Sequence, residues 1–145
     1  MRSFYRPKRK QQGSALVEFL LAFPFLFLLF VGVYDLGFYL YASIAVQDAT
    51  RMAALYTSDP STAGNLAGAC QYVLAALQSL PNQAQALADC RSLPIQLTIT
   101  NLTNGPDGNP TSQVSLSYQT IPLIAIPGLP GQLTITRTAQ MRIRK

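Results

Sequence analysis

Residues 13–57 read GSALVEFLLAFPFLFLLFVGVYDLGFYLYASIAVQDATRMAALYT, and this run decides the architecture. From Ser14 to Tyr34 the only charge is Glu18. A helix of that length is about 31 Å long, the thickness of a bilayer's hydrocarbon core. Tyr34, Tyr39 and Tyr41 follow, where interfacial aromatics gather. Asp35 is the first charge beyond the span and reads as a marker of the water boundary. Residues 36–57 hold no proline and keep a helical pattern. Ala45, Ala49 and Ala53 recur every four residues and lay a small-residue stripe on one face. Such a stripe suits either a second helix at close range or the chain's own outer domain. Ser58-Asp59-Pro60-Ser61 then breaks the helix. The expectation is one long helix over 14–57, crossing a membrane at about 14–36.

Upstream, residues 1–13 (MRSFYRPKRKQQG) carry Arg2, Arg6, Lys8, Arg9 and Lys10 with no acid among them. These five charges equal the net charge of +5, so the rest of the chain is neutral. A basic run directly before an apolar span is a topology signal that holds the N-terminus in the cytoplasm. It argues against nucleic acid as a partner, which would want basic residues spread over a folded face.

Downstream, residues 58–145 read as a small extracytoplasmic domain. Residues 62–80 form an amphipathic helix, and a shorter helical stretch follows Pro81 in NQAQALADC. Three strands are expected at Pro94–Thr100, Gln113–Thr120 and Gln132–Arg144, where apolar and polar residues alternate. Asn104-Gly105-Pro106-Asp107-Gly108-Asn109-Pro110 is the turn between the first two. Residues 121–131 are apolar but contain three prolines, so they do not form a central strand. The fold class is therefore α+β: a long N-terminal helix, one or two further helices and a three-stranded antiparallel sheet. Cys70 and Cys90 lie in this outer part, where a pair of cysteines reads as a disulfide; two buried thiols are the other reading. Closing a loop of that size is worth roughly 3 kcal/mol to so small a core.

With no histidine, few acids in the outer domain and no clustered motif, no catalytic residue, metal ligand or cofactor site stands out, and the chain does not read as an enzyme. Pro24 reads as a tolerated membrane proline. Asn101-Leu102-Thr103 is a chance match to a glycosylation acceptor. Arg137, Arg142, Arg144 and Lys145 read as charges guarding an edge strand, a partner-binding edge being the other reading.

The remaining signal is Gly13-Ser14-Ala15-Leu16-Val17-Glu18-Phe19. An acid inside an apolar span is costly and is a functional candidate by default. A basic leader ending in glycine, with glutamate five residues on, resembles the prepilins cut by prepilin peptidase. More narrowly, residues 13–54 resemble the TadE-like pseudopilins of the tight-adherence (Tad/Flp) pilus. Gly13, Val17-Glu18-Phe19, Pro24, Gly32, Gly37 and Ala49-Thr50-Arg51-Met52-Ala53-Ala54 carry the resemblance. It implies cleavage between Gly13 and Ser14, with Glu18 pairing to the new amine of a neighbouring subunit. It also implies a minor pilin of the bacterial inner membrane, with its C-terminal domain in the periplasm. The implied partners are prepilin peptidase, other pilin subunits, the Tad inner-membrane assembly platform and the lipid bilayer. The alternative is an extracytoplasmic protein on a conventional signal anchor, cut near Ser43-Ile44-Ala45 or left uncut.

Overall fold

The computed structural model describes residues 14–81, 90–121 and 132–144. The basic leader, the helical stretch expected after Pro81 and most of the proline-rich loop lie outside these residues. α1 runs unbroken from Ser14 to Tyr56, one residue short of the expected end. Pro24 sits inside it. Lacking an N–H, Pro24 leaves the Leu20 carbonyl without its helical partner.

α1 has two surfaces in succession. From Leu16 to Phe30, twelve large apolar side chains are each more than half exposed. From Ala42 the helix becomes one-sided: Ala42, Val46, Ala49, Ala53 and Ala54 are fully buried, while Gln47, Asp48 and Arg51 face water. The alanine stripe thus packs against the chain's own outer domain. Small side chains let the sheet and a second helix approach the α1 backbone.

That second helix, α2, spans Leu66–Ala76, shorter than the expected 62–80. Gly64 turns the chain at φ +83°, a region glycine enters without steric cost. Asn65 then caps α2, its side chain accepting from the Gly68 amide. Gly68 is required where α2 passes α1, because a methyl there would run into the Tyr56 ring. Tyr56 in turn packs tilted against Tyr72, with ring centroids 5.0 Å apart and planes at 40°.

The sheet is an antiparallel meander of four strands in the order β1-β2-β3-β4: Arg91–Ser92, Ile95–Leu102, Thr111–Gln119 and Thr134–Arg142. This corrects the expected three. The added β1 is only two residues, opposite Ile95 and Gln96, too short to show any periodicity. The inner face of the sheet carries Ile95, Leu97, Val114, Leu116, Tyr118 and Ile135, all buried against the helices. The outer face is almost entirely Thr, Ser and Gln, with cross-strand bonds such as Ser117–Thr136 and Gln140–Gln113.

Candidate functional site

The structure separates the candidate residues into two groups. Ser14 opens α1 directly after Gly13, and Glu18 stands exposed in the second turn among apolar neighbours. Phe19, Phe23 and Phe27 form a ladder on one side, with centroid separations of 5.9 and 6.2 Å. The twelve exposed apolar side chains decide what surrounds this part of the helix. At about 2 kcal/mol each, immersing them in water would cost more than the roughly 5–15 kcal/mol that holds a domain together. α1 is the one helix among the described residues long and apolar enough to cross a membrane.

At the far end of the span, Asp35 does not simply face water. It lies half-buried, and its Oδ1 is enclosed without a hydrogen-bond partner. Apolar exposure also continues past it on the opposite face, at Leu36, Leu40, Tyr41 and Ile44. The Tyr41 hydroxyl lies 3.0 Å from Ser79 Oγ, beside α2.

The second group lies outside the span. Cys70 of α2 and Cys90 before β1 form the expected disulfide, with Cα atoms 5.8 Å apart. The bridge ties α2 to the first strand of the sheet. Two polar contacts across elements were not anticipated. Ser112 on β3 donates to Thr57 Oγ1 at 2.8 Å, and Thr57 donates back to the Ala53 carbonyl of α1 at 3.1 Å. Arg137 on β4 donates to Ser43 Oγ at 2.6 Å. The second was legible: Leu133, Ile135, Ala139, Met141 and Ile143 alternate along β4, and Arg137 falls on their side. Arg137 stays exposed while its side chain reaches Ser43 on α1.

Just after α1, Asp59 accepts from both the Ser61 hydroxyl (2.6 Å) and the Ser61 amide (2.8 Å). These bonds, the hydroxyl's first, hold its carboxyl below the usual range. Among the described residues no cluster of His, Cys, Asp or Glu could hold a metal.

Residues 13–55 match the TadE-like protein family, a stretch that begins at Gly13 and ends one residue before α1 does. No curated protein and no solved structure matches the chain.

Proposed function

From a chain whose residues 13–55 are TadE-like, we propose a minor pilin of a Tad/Flp-type pilus, matured by prepilin peptidase and serving surface adherence or secretion. The observation that carries this reading is the coincidence of the matched stretch with α1. The match starts at the glycine directly before the helix, and the helix then presents a bare apolar surface for about its first half.

The leader's five basic residues keep residues 1–13 in the cytoplasm. Prepilin peptidase cuts between Gly13 and Ser14, and the mature subunit waits in the inner membrane with its outer domain in the periplasm. On assembly, α1 exchanges lipid for the helices of other subunits. Glu18, one turn from the new Ser14 amine, meets the amine of a neighbouring copy, so burial of each charge is offset by the other. The pair acts as a register device because only one axial offset brings the two charges together. The assembly platform of the inner membrane and the other pilin subunits are the partners; the role is structural, not enzymatic.

Cleavage near Ser43–Ala45, which a conventional signal peptide would require, would cut α1 where Ser43 bonds Arg137 and remove Ala42 from the core. Intact mass of the mature protein tests the reading. Loss of 13 residues supports it, while an uncut chain, or loss of about 45, refutes it. Gly13→Val should leave the precursor uncut, and Glu18→Ala should be cut but fail to enter pili.

A further inference from the structure

β4 ends the sheet, and among the described residues no strand pairs with its outer side. The Thr120 amide donates to the Leu133 carbonyl and the Ile143 amide to that of Pro110. With the β3–β4 register, these two bonds fix which residues pair inward: Ile135, Arg137, Ala139 and Met141. Thr134, Thr136, Thr138 and Gln140 consequently turn their N–H and C=O groups outward. Their side chains are exposed, and among the described residues nothing hydrogen-bonds those backbone groups. Natural edges are blunted by charges, prolines or bulges. Here the nine-residue register is unbroken and β4 contains no proline; its only charges are Arg137 and Arg142, both exposed and both positive.

A groove of about 330 Å³ lies between α1 and this strand. Arg51 and Arg137 line it together with Gln47 and Met141, and no acid does. Neither arginine makes an ion pair among the described residues, and Arg142 and Arg144 extend the positive charge along the same edge. An open ladder supplies backbone affinity, and the charge beside it selects for sign.

We propose that the β4 edge docks an extended acidic segment of another protein, which adds as a fifth strand with its carboxylates over Arg51 and Arg137. A second copy of this chain does not fit. Antiparallel pairing of β4 with β4 needs a twofold axis perpendicular to the sheet. α1 lies along the sheet face, so that axis would point the two membrane helices in opposite directions. Nor do β1–β4 contain any acidic residue: Asp48 is on α1, Asp59 in the turn after it and Asp107 in the β2–β3 turn. The proposal goes beyond the pilin reading and needs only α1 in a bilayer.

The test uses the full chain in phosphatidylcholine nanodiscs. The probe is a fluorescent ten-residue peptide alternating Val and Glu, compared with its Val–Lys counterpart by anisotropy. The Glu peptide should bind at least tenfold more tightly. Thr138→Pro deletes one outward N–H and leaves the β3 bonds intact, and should weaken binding about tenfold. Arg51→Glu, at an exposed helix position, should do the same without affecting the fold. Equal binding of the two peptides, or no effect of either substitution, overturns the proposal. So does self-association of the chain that Thr138→Pro abolishes, because the occupant is then a second copy. Pilus assembly does not enter the readout, so a failed pilin reading and a failed docking strand remain separable.

Discussion

Replacing both Cys70 and Cys90 with alanine tests how much of the outer domain's stability rests on one covalent link. The bridge spans 20 residues of sequence. Loop-closure entropy for that span amounts to about 3 kcal/mol, carried mostly by the unfolded state. Both cysteines are fully buried, so truncation also leaves a small void on the inner side of α2. Against a total stability of roughly 5–15 kcal/mol, the loss is a large fraction. For a domain of this size each kcal/mol moves Tm by about 4–8 °C, so the double variant should melt roughly 12–24 °C lower. Near-UV dichroism in detergent is the suitable signal. It follows Tyr118 in the core and the Tyr56–Tyr72 contact, whereas far-UV dichroism would be dominated by α1, whose apolar half stays helical in the micelle. Wild-type protein with reductant should show the same shift. A fall below about 4 °C in both samples would mean that packing of α2 on α1 and the sheet already fixes this corner, and the loop-entropy reasoning would be wrong.

Thr57→Val keeps the shape but leaves the buried Ser112 hydroxyl without its acceptor, and should cost about 1–3 kcal/mol in urea denaturation. Ser112→Ala should cost less, and the double variant less than the sum of the two. Ala53→Leu forces three extra carbons into a fully closed contact between α1 and the outer domain, and should destabilise by about 1–3 kcal/mol. The same change at exposed Met52 should be close to neutral. Asp59 has its carboxyl pKa lowered in the folded state, so its contribution is present above the unfolded value and disappears as pH falls through the folded one. Urea midpoints compared between pH 6 and pH 3 should therefore fall more in wild type than in Asp59→Asn; identical profiles would remove Asp59 from the account.

α1 was legible because its signal is long and redundant: an apolar run, a basic flank, tyrosines after it and no break before Ser58. Strands β2, β3 and β4 were legible from alternation, although their ends shifted by up to two residues. What escaped was set by contacts across elements. β1 exists because Arg91 and Ser92 fall in register with Ile95 and Gln96, and two residues carry no pattern. The start of α2 moved because Gly64 and Asn65 reset the chain at positions that the apolar periodicity does not weight. The alanine stripe announced a close neighbour but not which one. Asp35 looked like a simple boundary marker because nothing in the local sequence signals its half-burial. Arg137 was different: the alternation already placed it on the side of β4 that faces α1.

The two surfaces of α1 have one mechanical consequence. The helix that is long and apolar enough to cross a membrane is the same hydrogen-bonded rod that walls the core, with Ala42, Val46, Ala49 and Ala53 on its buried side. Three independent ties fasten the sheet to that rod: Ser43–Arg137, Thr57–Ser112, and the Arg144 amide on the Ser58 carbonyl. One tie is on α1 at Ser43 and two lie directly after its end at Thr57 and Ser58, so they are spread over about 15 residues, a length of roughly 22 Å. Rotation or tilt of the anchor is therefore passed to the outer domain with no flexible linker to absorb it. The chain therefore presents the β4 edge at an angle fixed by the direction of α1. The orientation of the β4 edge is thereby coupled to whatever the apolar half of α1 packs against.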